Sequence, residues 1–536
     1  MSSKKKQSFL GGAAVLASAV AIVKILGAVY KIPFGNIVGP EGQTYFNVAY
    51  NIYNVLLTIS TAGLPLAISK LTSQAHTQGR ENQKRKIFST AIWLFFAMGL
   101  VGTLLMFFGA EQLAAFMNEP LGYWPIRALA PAVFCVCLLA CMRGYTQGQG
   151  NMTPTAVSQI LEALCKLGLG LTLAWYFLKL GLGLDVAAAG AILGVTAGTF
   201  LSLLYLIFYL LRHRDRRSSP DVPDSGGKLM RRILAIGVPI TLSNSAMSII
   251  TLVDTKIVLG RLRDIPALAD SAAELFGQYT FGMNLINLPP SFVFPVTMSL
   301  IPFAAAALTR RDHAEAGRIV SSGFRIVAVL AIPAGVGLSV VGGPALQMLF
   351  PLRQADAIAA GPHMRWLGIA CIFMCLMNLT NVILQTYGKE MIPIWTVIAG
   401  GVAKVVMNYM LVGNPDINIH GAPVSTLLCY VVIVGLNLFF VWQYSPEKPR
   451  YLQIFAKPVL ASALMGGGVW AVHGFVSRAL SGEHSAYGTN AIATLCGILA
   501  GVVVYAVLVV ALRILRAEDL KNVPHGKQLA KLLHLR

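Results

Sequence analysis

Lys24 and Lys31 sit seven residues apart in "LASAVAIVKILGAVYKIPFG" (16–35), an otherwise apolar run. Seven residues is close to two helical turns, so both ammonium groups share one helix face, offset by about 20°. A lysine at mid-membrane costs about 2.5–3.5 kcal/mol on insertion scales, so such a group faces a cavity or a partner. Lys31, nearer the outer end, can also extend its stem to the interface. The chemistry this pair offers is reception of an anion. Glu162 and Lys166 follow at i, i+4 in "SQILEALCKLG", the favourable order for a helix ion pair. They read as a mutually neutralised pair that holds helices together, or as a coupling-ion or proton site. Lys404 occupies the corresponding place in the second half of the chain. Asp254 and Lys256, in "LVDTKIVLGRL", are two apart and point to different sides. Lys256 joins Lys24 and Lys31 as a candidate substrate-binding cation, and Asp254 is a candidate to line a cavity opposite the first span. Asn51 and Asn54, and again Asn284 and Asn287, are three apart. Their amides serve as glue between helices or hydrogen-bond sugar hydroxyls.

The elements that must carry these groups are membrane helices. Of the 536 residues, 56% are hydrophobic and 12% charged, against about 25% charged in soluble domains. Apolar runs long enough to cross a hydrocarbon core recur about fourteen times. They do not alternate every second residue, which excludes a strand barrel. The expected fold is all-α and polytopic. A net charge of +20 suggests nucleic acid, but its distribution does not. Lys and Arg gather in alternate loops ("SSKKKQ", "HTQGRENQKRK", "RHRDRR", "KLMRR", "TRRD" and the tail), while "GPEGQ", "GNPDINIHG" and "SGEHSAYG" lack them. That is the positive-inside pattern, with both termini cytoplasmic. The first span runs to about residue 34, longer than a cleavable signal core, so cleavage is not expected. The tail "GKQLAKLLHLR" (526–536) reads as a basic amphipathic helix on the inner membrane surface.

The chain also repeats itself. "GQTYFNVAYNIYNVLLTISTAGLPLAISK" (42–70) parallels "GQYTFGMNLINLPPSFVFPVTMSLIPFAA" (277–305), and "GQGNMTPTAVSQILEALCKLGLG" (148–170) parallels "YGKEMIPIWTVIAGGVAKVVMNY" (387–409). This gives an N-terminal lobe at 1–211, a cytoplasmic linker at 212–232, a second lobe at 233–444, and two further helices with the basic tail at 445–536. Parallel repeats of this kind are typical of alternating-access transporters, with the site between the lobes. All eight Cys fall in apolar runs, where they act as small hydrophobes, and the nine His lack ligand spacing. No Walker motif, HExxH or nucleophile elbow is present. Neither a cofactor nor enzymatic activity is expected, and energy comes from a coupling ion or the membrane potential.

"KILGAVYKIPFGNIVGPEGQTYFNVAYNIYNVLLTISTAGLPLAISKL" and "RGYTQGQGNMTPTAVSQILEALCKL" resemble the stage V sporulation protein B-like branch of the polysaccharide transporters. These are relatives of the MurJ-type lipid II flippases, in the multidrug/oligosaccharidyl-lipid/polysaccharide exporter superfamily. The resemblance covers essentially the whole chain, and "RGYTQGQGNMTPTA" (143–156) is its most specific part. It implies two six-helix lobes around a central cavity, with two helices behind. It implies a lipid-linked oligosaccharide diphosphate, above all lipid II, flipped from the inner to the outer leaflet beside the cell-wall synthesis machinery. Lys24 matches a basic position of the family's first helix, and Lys31 lies next to a second, occupied here by Tyr30. The arginines that Gram-negative members carry in helices 2 and 8 are absent, with nothing basic before Lys70 or Arg310. The competing readings are a multidrug/cation antiporter of the same superfamily, which would want cavity carboxylates, and a flippase for another lipid-linked polysaccharide unit. A glycan polymerase would need a large outer loop bearing catalytic groups, and the outer loops here are short.

Overall fold

The computed structural model describes residues 9–213, 219–445, 447–481 and 485–515. The "SSKKKQ" terminus, part of the 212–217 basic cluster and the amphipathic tail at 526–536 lie outside them. The chain divides into two compact units, Met1–Gly260 and Arg261–Arg536. Unit 1 runs α1 (Phe9–Thr61), α2 (Leu64–Thr77), α3 (Glu81–Phe108), α4 (Ala110–Phe116), α5 (Tyr123–Gly148), α6 (Thr153–Cys165), α7 (Leu171–Lys179), α8 (Leu184–Arg212) and α9 (Gly226–Arg263). Unit 2 continues with α10 (Ala272–Ile286), α11 (Leu288–Thr309), α12 (His313–Leu349), α13 (Gln354–Ala360), α14 (Met364–Thr386), α15 (Met391–Val412), α16 (Gly421–Tyr444), α17 (Tyr451–Ala479) and α18 (Ala486–Ala511).

Among the described residues eleven helices are long and apolar enough to cross a membrane, or twelve if the two pieces of α9 form one bent span. The sequence suggests about fourteen. The largest difference is the first stretch, Ser18–Thr77, whose 60 residues count once, yet would reach about 90 Å if straight, three hydrocarbon thicknesses. It is not straight. Gly39 leaves the helical region at φ 70°, ψ −174°, a conformation open to glycine and one that the following Pro40 favours. The expected outer loop "GPEGQ" is therefore a single-residue break, after which Pro40 restarts the helix.

α5 is the hub of unit 1 and packs against α1, α2, α3 and α8. A side chain at Gly144 or Gly148 would strike the backbone of Pro65 or Ser69, so these glycines let α2 lie close. The division between units falls at Gly260, one helix beyond the polar linker. The reason is a run of bonds along α9: the Gly63 amide donates to Thr241 Oγ1 at 3.2 Å, Thr58 meets Ser248 at 2.9 Å, Asn51 Nδ2 donates to Thr255 Oγ1 at 2.8 Å, and Asn118 Nδ2 donates to the Lys256 carbonyl at 3.2 Å.

In unit 2, α12 packs on α14, α17 and α18, and α14 packs on α16. Asp312 caps α12 by accepting from the Glu315 amide at 2.9 Å, as an N-cap carboxylate does. Between α14, α15 and α16 the buried Asn437 accepts from Thr396 at 2.7 Å and donates to Thr380 at 3.0 Å and Asn381 at 2.8 Å. The last two helices seat on α12, with Tyr505 donating to the Val329 carbonyl at 3.0 Å and Asn490 to that of Pro344 at 3.0 Å.

Candidate functional site

A cation caged by aromatic rings lies in unit 1 where α1 meets α6. Lys166 is thirteen residues beyond the start of α6 at Thr153, about 20 Å along the axis and well inside the hydrocarbon depth. Its ammonium lies over three rings: 4.9 Å from the centroid of Tyr30, 4.6 Å from that of Tyr50 and 5.6 Å from that of Phe46. Tyr30 stacks on Phe34 at 5.3 Å and Phe46 on Tyr50 at 5.3 Å, so the cage walls are braced. Desolvated cation–π contacts reach about 2 kcal/mol each, so three of them are of the order of the cost of placing a lysine at this depth. Lys31, half-buried one turn from Tyr30's neighbour Phe34, is within electrostatic reach of Lys166.

Glu162, whose charge still acts on Lys166, also engages a group on a neighbouring helix. Glu162 Oε2 binds Arg143 of α5 at 3.2 Å, and Arg143 Nε donates to Ser158 at 2.9 Å. A carboxylate shared with a guanidinium from a neighbouring helix leaves the two ammonium groups as the local excess. Tyr30 adds a buried hydroxyl with no hydrogen-bond partner, although its residue is only 1% exposed. Such an atom costs about 1–3 kcal/mol unless a ligand satisfies it.

Local backbone chemistry holds Lys166 in place. α6 gives way at Lys166 to a π-helical turn over Lys166–Gly170, then α7, a bulge type that recurs at functional sites. Gly190, Gly194 and Gly198, one turn apart on α8, face this segment. A side chain at Gly194 would run into the backbone nitrogen and Cα of Gly170, and one at Gly198 would come within 2.9 Å of the Glu162 carbonyl. The glycine stripe therefore permits the close approach that aims Lys166 at α1.

The other sequence candidates are distributed more widely. Lys24 is exposed on α1 among Ile22, Ile25 and Val29. Lys256 places its ammonium 3.5 Å from the centroid of the Phe116 ring on α4. Asp254 is buried at 5% exposure on α9, beside Thr255. Asn51 joins α1 to α9, and the Asn54 carbonyl accepts from Thr58 at 2.7 Å. In unit 2, Lys404 is half-buried on α15, Asn287 Nδ2 donates to the Met283 carbonyl at 2.6 Å, and Asn284 keeps a buried Nδ2 without a partner. Among the described residues no three His, Cys, Asp or Glu side chains gather to hold a metal. Sequence reasoning missed Arg143 and the cage of Tyr30, Phe46 and Tyr50. The spacing of Phe46 and Tyr50, one turn apart beside a lysine-bearing span, is the signal that could have raised the cage.

The model of the family described as "Polysaccharide biosynthesis protein" matches residues 9–308. Three Bacillus subtilis (strain 168) proteins are similar along nearly their full length. The uncharacterized membrane protein YabM is 28% identical, covering 98% of this chain and 96% of its own. Stage V sporulation protein B is 23% identical, over 97% and 98%. Lipid II flippase MurJ is 25% identical, over 89% and 90%. Among solved structures, the inward closed conformation of lipid II flippase MurJ superposes with a TM-score of 0.69 at 15% identity, over 93% of this chain and 99% of that one. The fold is that of this group of polytopic helical transporters.

Proposed function

Because the chain belongs to the polysaccharide biosynthesis protein family, we propose that it is a flippase that carries a lipid-linked sugar diphosphate from the inner to the outer leaflet by alternating access. Lipid II is the substrate we assign, because a relative of 25% identity carries that activity in its name. The observation that carries the reading is Lys166, an ammonium held over the rings of Tyr30, Phe46 and Tyr50 in an apolar helix bundle, with Lys31 next to Tyr30 in the chain, while the carboxylate of Glu162 is engaged by Arg143. A diphosphate is the complementary ligand, and the buried Tyr30 hydroxyl can donate to one of its oxygens. Lysines suit a carrier that must also let go, since an ammonium grips less rigidly than the bidentate fork of arginine. A cation exporter would instead present carboxylates here. Lys24, on the open face of α1, is assigned to the approach of the headgroup. Both termini are placed in the cytoplasm, and a coupling ion or the membrane potential drives the cycle.

The test uses cells depleted of their own lipid II flippase, with lipid II exposed on the outer leaflet as the readout. Expression of this chain is expected to restore exposure, and Lys166→Ala and Lys24→Ala to lose it while still reaching the membrane. Absence of restoration by wild-type protein that is present in the membrane rules out lipid II and redirects the assignment to another lipid-linked unit.

A further inference from the structure

A second cavity in unit 1 lies away from the Lys31–Lys166 cluster, among the first turns of α3 and the last turns of α5 and α8. Its volume is about 490 Å³, within the range of small-ligand sites. A shallower depression of about 400 Å³ shares Arg85 and Ser89 with it and adds Lys86, so the two form one groove. The helix ends that frame it carry the basic loops at 76–86 and 212–217, which the positive-inside pattern assigns to the cytoplasmic surface.

The lining is amphipathic in an ordered way. Phe88 and Met142 form an apolar floor, and Phe88 is braced by Tyr145 with ring centroids 4.5 Å apart. Leu211 lines the wall yet is 68% exposed, next to the uncovered Phe208 on α8, so that wall is continuous with the hydrocarbon-facing surface. The rim is polar and rich in donors. Asn151 Nδ2 donates to Tyr209 Oη at 2.8 Å, which leaves the phenol's own proton to be given to another acceptor. His213 stacks on Tyr209 at 4.2 Å and holds Nδ1 3.0 Å from the Tyr209 carbonyl, so that nitrogen carries the proton. Lys84 is buried in a pair with Glu81 and serves as wall, while Arg85 stands at the exposed edge.

An apolar floor open to the hydrocarbon face, a rim of donors and a cationic edge at the inner interface match one kind of ligand. We propose that this groove binds the headgroup and proximal chain of an anionic phospholipid of the inner leaflet, with Arg85 and Tyr209 receiving the phosphate. The inference is independent of the flippase assignment and rests only on the orientation read from the loops.

The test is native mass spectrometry of the purified full-length protein in detergent. It is titrated in turn with phosphatidylglycerol, phosphatidylcholine of the same chains, and inorganic phosphate. Phosphatidylglycerol is expected to bind about fivefold tighter than phosphatidylcholine, the effect of one interfacial cation, and inorganic phosphate is expected not to displace it. Arg85→Gln should erase the preference. Ser89→Leu, which fills the mouth from an exposed helix position, should weaken both lipids. Both substitutions are at exposed sites, and an unchanged gel-filtration profile verifies the fold. Equal binding of the two lipids, or binding indifferent to both variants, overturns the proposal. Displacement by inorganic phosphate overturns it in favour of a free-phosphate site.

Discussion

Replacing Lys166 by methionine keeps the length of the side chain and removes its charge. In the resting protein two effects oppose each other. The ammonium loses its three ring contacts at 4.6, 4.9 and 5.6 Å, each about 0.5–2 kcal/mol. The protein no longer places a charge at membrane depth, a gain of about 2.5–3.5 kcal/mol. A methionine thioether also packs well against aromatic rings. The two ranges overlap, so thermal stability in detergent should change by no more than about 2–3 kcal/mol in either direction. With substrate the effects do not cancel, because a phosphate loses one charge-assisted hydrogen bond of about 1.5–3 kcal/mol, which is about 10- to 150-fold in affinity. Stability is read by thermal unfolding of the purified protein and transport by outer-leaflet exposure of lipid-linked substrate. A variant that loses several kcal/mol of stability would show that Lys166 is a structural strut. A stable variant that transports at the wild-type rate would refute the anion site itself.

Gly194→Val should destabilise unit 1 by about 1–3 kcal/mol or more, as overpacking against the backbone of Gly170 cannot relax through a side chain; Gly27→Ala, whose Cβ meets nothing within 4 Å, is the control. Asn437→Ala should cost unit 2 about 1–3 kcal/mol in thermal unfolding, because it removes three side-chain hydrogen bonds and takes the donor from Asn381 Oδ1, while the Thr380 and Thr396 hydroxyls keep backbone carbonyl partners. Asp221 of the linker accepts from the Asn82 amide at 3.0 Å and the Gln83 amide at 2.8 Å, fastening the linker to the start of α3. Desolvation pushes its carboxyl up, but the bonds from Ser219, Asn82 and Gln83 and the charge of Arg80 outweigh that and hold it below its ordinary value. The contribution is therefore present above the unfolded carboxylate range and is lost as pH falls through the lower folded value. Hydrogen exchange should show the Asn82 and Gln83 amides protected at neutral pH and released only as pH falls below the ordinary carboxylate range, with Asp221→Asn weakening protection at neutral pH.

Much of this protein is written along the chain. Hydrophobic length specifies membrane helices, because it depends on composition summed over whole segments. The break in α1 is legible too, since Gly39-Pro40 is a local backbone instruction. Asn51, read as glue or as a sugar-binding amide from its residue type and depth, donates to Thr255 on a neighbouring helix. Other features depend on what a neighbouring helix brings. Glu162 and Lys166 are ideally spaced for each other, yet i, i+4 spacing describes only one helix. Packing of α5 delivers Arg143 to Glu162, and the kinked α1 delivers Tyr30, Phe46 and Tyr50 to Lys166. The glycines of α8 set how close those helices come, a distance no single segment encodes. The apolar chemistry of the helices thus follows from sequence-local free energies. The identity of each buried charge's partner was decided by interhelical packing, because a desolvated ion takes the nearest compensating group in space rather than along the chain.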